Sequence, residues 1–234
     1  MKANGLTQDA PLLLLFDKAI DEVSRQLDAY VDGTNEVSST HNKFGSSASA
    51  SLLFNGLVFS ARIVDPVADY TQYKKIFCNI DNAKMSAALA LDLGDNIKGG
   101  ETIAPIIKGL IALARRLGQG SGAIAAAWRP AMVLSDFGYF AQAVASYEED
   151  GVFPVLALVD FQLTDTNAIS SKGLAFLSTQ EVILTMNEFS LGEATRRMVR
   201  IVHDIATNGP VTEPLEVEGL SAQEIIKLRP SAPQ

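Results

Sequence analysis

Leu52-Leu-Phe-Asn-Gly-Leu-Val-Phe-Ser-Ala-Arg-Ile-Val64 carries the sharpest structural signal in this chain of 234 residues. Two apolar runs, Leu52 to Phe54 and Leu57 to Val64, flank Asn55-Gly56. That dipeptide tolerates the positive φ angles of a two-residue hairpin turn, so the runs read as adjacent antiparallel strands. Asp65-Pro66 ends the second strand, because proline has no N–H with which to continue a ladder.

Upstream, Leu12-Leu-Leu-Leu-Phe16 is a continuous apolar run of strand length. The period then changes to Ile20, Val23, Leu27, Tyr30 and Val31, one face of a helix that Asp32-Gly33 stops. Thr34 to Ser51, rich in Ser, Asn and Gly, reads as a mobile loop. Downstream of the hairpin, Met85 to Leu93 reads as a buried strand, with its alanines leaving a helical alternative open. Gly99-Gly100 is a breaker before the helical stripe Ile103, Ile106, Ile107, Leu110, Ile111, Ala114 and Leu117, where Pro105 is tolerated in the first turn.

Beyond Ala123 the punctuation is more regular. Ala123 to Trp128 reads as a strand closed by Arg129-Pro130, and Ser135 caps a helix whose stripe is Phe137, Phe140, Ala141 and Val144. Phe153 to Leu163 and Glu181 to Met186 read as strands separated by a polar loop. Ser190 and Glu193 form a capping box for a helix that buries Leu191, Ala194, Met198, Ile201, Val202 and Ile205, and Asn208-Gly209-Pro210 ends it before a last strand, Glu224 to Leu228. The order strand, helix, strand, strand, helix, strand is the split βαβ arrangement of ferredoxin-like layers, with helices on one face of an antiparallel sheet. The expected fold class is therefore α+β. Residues 123–234 form the ferredoxin-like half and residues 1–122 a decorated second candidate unit, the two making one continuous globular body.

Composition narrows the chemistry. Two histidines, His41 and His203, and one cysteine, Cys78, leave little for metal sites or nucleophilic triads, and no metal, cofactor or catalytic residue is assigned. Nineteen basic against 27 acidic residues give a formal charge of -8, which argues against a nucleic-acid partner. No segment reads as an export signal or membrane span, and a lone cysteine fits a reducing cytoplasm. A hydrophobic share of 47% suggests an apolar surface used for self-association, so a homodimer or a protein partner is expected.

A few residues stand out against that background. Arg196, Arg200 and His203 share a helix stripe that would suit an anion or an acidic partner; the simpler reading is a solvated face with Glu193 paired to Arg197. Asp160 interrupts an apolar run, where it is either a carboxylate with a raised pKa or a residue on the wet side of its strand. Trp128 and Arg129 lie where a strand leaves its sheet, a place that serves ligands or packing, and Lys172 sits in a polar turn that could aim it into a cleft. Asp92, Asp95 and Glu101 fit no calcium-loop spacing. Cys78, between apolar neighbours, reads as a small buried hydrophobe.

Taken together, Trp128-Arg129-Pro130-Ala131, Phe153-Pro154-Val155-Leu156 running to Asp160-Phe161, Ser171-Lys172-Gly173-Leu174 and Asn208-Gly209-Pro210 resemble the bacterial family known as domain of unknown function 4261. The resemblance spans Leu52 to Pro230. Members of that family often carry histidine near the strand matching Lys84 to Leu93; this chain has none there. The family has no established activity to carry over, and the resemblance implies a bacterial cytoplasmic protein. The leading expectation is a non-catalytic domain that binds a protein partner or itself. The alternative is a small-ligand-binding module or an enzyme using Asp160, Trp128, Arg129 and Lys172 at the rim of the C-terminal sheet.

Overall fold

The five apolar residues of strand β1 (Leu12–Phe16) are all buried. A strand apolar on both faces needs a partner on each edge and a layer on each side, and the rest of the chain provides them. The structure is a computed structural model that describes residues 10–44, 49–66, 70–81, 84–186, 189–221 and 223–230. After β1 come α1 (Ile20–Gly33), β2 (Val37–His41), β3 (Ser49–Phe54), β4 (Leu57–Val64), β5 (Lys74–Ile76), β6 (Ala87–Leu93), α2 (Ala104–Ser121), β7 (Ala125–Trp128), β8 (Val133–Asp136) and α3 (Phe137–Asp150). The chain continues through α4 (Val155–Leu158), β9 (Asp160–Leu163), β10 (Ala168–Lys172), α5 (Ala175–Ser178), β11 (Ile183–Thr185), α6 (Leu191–Asn208), β12 (Leu215–Glu218) and β13 (Ile225–Leu228).

The fold is α+β. Eight strands form one sheet in the order β2-β3-β4-β6-β1-β7-β8-β5, antiparallel except where β5 runs parallel to β8. Leu12, Leu14 and Phe16 of β1 face the apolar sides of α1, α2 and α3, which lie on one side of the sheet. Leu13 and Leu15 face the other way, into a second core with Ala88, Ala90, Ala125 and Ala127. The alanines matter there: their short side chains leave space over the sheet for Tyr70 and Tyr73, which close this face together with Cys78 and Met85. Cys78 is thus a buried free thiol, as its neighbours implied.

The expected βαββαβ order from Ala123 to Leu228 does not form as one sheet. β7 and β8 belong to the large sheet, β9, β10 and β11 make a separate three-stranded sheet, and β12 pairs with β13 and with no other strand among the described residues. The interleaved βαβ connection occurs earlier instead: β1, β4, β6 and β7 lie side by side in the order β4-β6-β1-β7, all antiparallel, with α1 and α2 packed together on one face. The large sheet therefore runs across residue 122.

Local differences have local causes. Within Thr34 to Ser51, β2 pairs with β3; its Ser and Thr residues are those of a solvated edge strand, and residues 45–48 of that stretch lie outside the described residues. Ser135 belongs to β8, and Asp136 is the residue whose side chain caps α3, accepting from the Tyr139 N–H at 3.1 Å. In Phe153 to Leu163 an apolar run contains the short helix α4 before β9, because a run buried on all sides does not distinguish helix from strand. β10 fills part of the expected polar loop, and Leu191, expected in the core, is 53% exposed at the first turn of α6.

The Asn55-Gly56 turn joins β3 to β4, with Asn55 at φ 49° and Gly56 at φ 78°. No atom lies within 4 Å of a Cβ placed on Gly56, so a substitution there reports backbone strain alone. Gly56→Val should lower stability by about 1–2 kcal/mol. Urea denaturation checks this, with Gly56→Asn expected to lose much less.

Candidate functional site

The hairpin turn after β7 sets the first candidate region. Trp128 is 1% exposed and meets the Phe176 ring edge-on at 5.4 Å, while its Nε1 has no hydrogen-bond partner among the described residues. Three residues on, Ala131 presses against Gly173: a Cβ on Gly173, at φ +93°, would stand 2.6–2.8 Å from Ala131 atoms, two of them backbone. The corner between β10 and α5 is held by Glu181, whose carboxylate accepts from Ser171 Oγ at 2.5 Å and from the N–H groups of Gly173 at 2.8 Å and Ala175 at 3.1 Å. Ser171 Oγ in turn accepts from the Val182 N–H at 2.8 Å. This explains the Ser171-Lys172-Gly173 sequence as a strand-to-helix corner fitted under the β7–β8 turn.

The remaining candidates of this group serve the same joint. Asp160, 9% exposed, accepts from the Phe161 N–H at 2.8 Å and from Gln162 Nε2 at 3.0 Å. Lys172 stands opposite it in the register of β9 and β10, and the two form no ion pair. The Arg129 N–H donates to the Pro11 carbonyl at 2.9 Å, and its Nη1 donates to the Ala10 carbonyl at 3.3 Å, tying the turn to the chain entering β1. Trp128 thus packs on Phe176, Arg129 is hydrogen-bonded to the chain entering β1, and Asp160 is hydrogen-bonded to its own strand with Lys172 opposite it in the register.

On α6, Arg200 and His203 of the expected basic stripe line one shallow pocket with Asp204, Val217 and Glu218, and each residue of the stripe has a hydrogen-bond partner. Arg196 Nε donates to the Gly192 carbonyl of its own helix at 3.4 Å, Arg200 reaches Glu218 at 3.4 Å, and His203 Nδ1 accepts from the Phe153 N–H at 3.3 Å. The cation that organises this region is Arg197, only 8% exposed. It donates to Glu224 Oε1 at 2.5 Å and to the Glu193 carbonyl at 3.1 Å, and its guanidinium lies 3.9 Å from the centre of the Phe189 ring. Arg197 therefore pairs with the hairpin and leaves the Glu193 carboxylate to the capping box with Ser190. The Arg197 hydrogen bond, helped by the Leu220 N–H, holds the Glu224 carboxyl below the usual carboxylate range.

An open groove lies beside this ion pair. About 530 Å³ in volume, it has Ile183 and Leu184 of β11 on one wall, Ile226 and Leu228 of β13 on the other, and Ile201 and Ile205 of α6 as its floor. Gln180 and Val211, also in the lining, exchange two hydrogen bonds, at 2.8 and 2.9 Å. Arg229 and Pro230 extend the β13 wall. Reading β11 and β13 as members of one sheet hid this feature, since the groove exists only because they belong to two. Among the described residues, no three His, Cys, Asp or Glu side chains gather to hold a metal ion, and no helix is long and apolar enough to cross a membrane.

Two outcomes follow from this geometry. Gly173→Ala should destabilise the protein by about 3 kcal/mol, combining left-handed backbone strain with a clash that backbone atoms cannot relieve; Gly151→Ala, at φ +75° with open space around it, is the control that should show the strain alone. For Glu224, a carboxyl depressed on folding contributes stability that is present above the unfolded pKa and lost as pH falls through the lower folded value. The protection of the β12 and β13 amides, relative to the intrinsic exchange rate at each pH, should therefore fall on acidification below the ordinary carboxylate range, and Glu224→Gln should flatten that dependence.

Compared with protein-family models, with curated proteins and with solved structures, the chain matches none.

Proposed function

We propose that this protein is a non-catalytic domain that binds an apolar segment of a partner protein in the groove between β11, α6 and β13. The observation that carries this reading is a large apolar side chain left open to solvent on the wall of a groove of mixed polar and apolar lining: Ile183, on β11, is 69% exposed. The floor of the groove is a helix already fixed by a capping box and by Arg197. Of the residues in the alternative ligand-binding or enzymatic reading, Trp128 stacks edge-on against Phe176, Arg129 donates to the Ala10 carbonyl and Asp160 accepts from the Phe161 N–H, contacts that hold the chain together where those side chains lie. The resemblance to the domain of unknown function 4261 adds a bacterial, cytoplasmic setting to the proposal.

Selection of random, unstructured peptides against the full chain tests it. Enriched peptides should lose at least about tenfold in affinity towards Ile183→Asp, since a carboxylate on the wall would be desolvated by the bound segment. No enrichment, or equal affinity for the variant, would remove the groove as a protein-binding site. Light scattering of the same pair of proteins separates one further occupant: a dimer that Ile183→Asp dissociates would make the partner a second copy of this chain.

A further inference from the structure

The two walls of the groove are strand edges. Among the described residues, β11 is the outer member of the three-stranded sheet, and β13 pairs with β12 alone. The direction of the β11 backbone follows from its hydrogen bonds. The Val182 carbonyl accepts from the Ser171 N–H at 2.8 Å and the Met186 N–H donates to the Asn167 carbonyl at 3.1 Å, so the even-numbered residues face β10. In an antiparallel ladder these directions alternate strictly. Ile183 and Thr185 consequently direct their N–H and C=O groups away from β10, towards the open edge, leaving two donors and two acceptors there.

The β13 side is similarly disposed. The Gly219 N–H donates to the Glu224 carbonyl at 2.7 Å, and the register continues through Val217 opposite Ile226 and Leu215 opposite Leu228. The same alternation turns the backbone of Ile225 and Lys227 away from β12. The groove lining passes from β11 to β13 without including a β12 residue, so the unpaired edge of β13 is the one that faces the groove.

Charge supplies the remaining specification. The protein is acidic overall, and Lys227 is paired with Glu216 at 3.3 Å. Arg229, exposed at the end of the β13 wall, has no partner among the described residues. A carboxylate on the occupant is the group that this cation would complement.

We infer that the groove accepts one extended segment of a partner protein as an additional strand on β11, with apolar side chains at alternate positions directed onto α6 and a carboxylate placed against Arg229. This rests on the protein-binding reading above and specifies its chemistry. Strand addition draws affinity from main-chain hydrogen bonds and specificity from pockets that receive every second side chain. The unpaired edge of β11 would supply the first, and the half-buried Leu184, Val211 and Leu228, above the covered Ile201 and Ile205, the second.

Proline offers a selective test, because Ile183 is the first residue of an edge strand, where proline is tolerated while its outward N–H is lost. The probe is a library of short synthetic peptides with Val, Ile, Leu or Phe at alternate positions and Asp, Ser or Lys at the last. Wild type should bind with a preference for Asp at the end. Ile183→Pro should weaken binding about tenfold or more while Ile183→Val retains it, the magnitude expected for a lost hydrogen bond of ordinary net strength. Backbone N-methylation of the peptide at its inward-bonding positions should have the same effect without altering the protein, which keeps the test decisive if the proline variant does not fold. Arg229→Glu should invert the terminal preference from Asp to Lys.

Binding that survives both Ile183→Pro and N-methylation would overturn strand addition and leave the protein-binding reading intact. So would failure of the alternating library when random peptides still bind and are still lost with Ile183→Asp. If neither library binds, both readings fall. An unchanged terminal preference in Arg229→Glu would overturn the carboxylate assignment.

Discussion

Burial of β1 on both faces is the constraint on which the rest of the architecture depends. Its residues alternate between two cores, so each face requires its own cover: three helices on one side, and a layer built around Tyr70, Tyr73, Cys78 and Met85 on the other. Its edges require strands as well, and both β6 and β7 join it antiparallel. Because β6 and β7 are consecutive through α2, that helix must cross β1 to connect them, which places α2 on the face shared with α1. The later strands attach outward from this centre.

How much of this can be read from the residues depends on how local the determining interaction is. Asn55-Gly56 specifies its turn through two backbone angles, and Ser190 with Glu193 specifies a helix start through two hydrogen bonds within four residues; both occur as the sequence implies. The stripes of α1 and α2 are also local, since one buried face produces the period. The partners of a strand are not local. Nothing in Ala125-Ala-Ala-Trp128 distinguishes pairing with β1 from pairing with a later strand, and a polar edge such as β2 has the composition of a loop.

The same distinction governs the candidate sites. Trp128, Arg129, Asp160 and Lys172 are conspicuous because each sits among residues unlike itself, whereas what they touch, the Phe176 ring, the Ala10 carbonyl and the Phe161 N–H, depends on how the chain folds. Arg197 was less conspicuous than Arg196, Arg200 and His203, being assigned to an exposed pair with Glu193. It is the one arginine of the helix that is nearly buried, because the β12–β13 hairpin folds over it and brings Glu224 from 27 residues away. The groove lay beyond sequence reading for a related reason: its walls are edges, and an edge is defined by the strand that is missing beside it.

The separateness of the β12–β13 hairpin has a mechanical consequence. Its ladder is internal, and it meets the rest of the protein through the Arg197–Glu224 and Arg200–Glu218 pairs and apolar contacts onto α6. Tension transmitted through Leu228 would load those side-chain contacts and the short ladder in which Leu228 lies opposite Leu215, peeling β13 from its one strand neighbour among the described residues. Tension transmitted through Leu12 would instead shear the hydrogen bonds that β1 makes to both β6 and β7 at the same moment. The fold is therefore compliant near one end of the described chain and stiff near the other, and the groove lies on the compliant side.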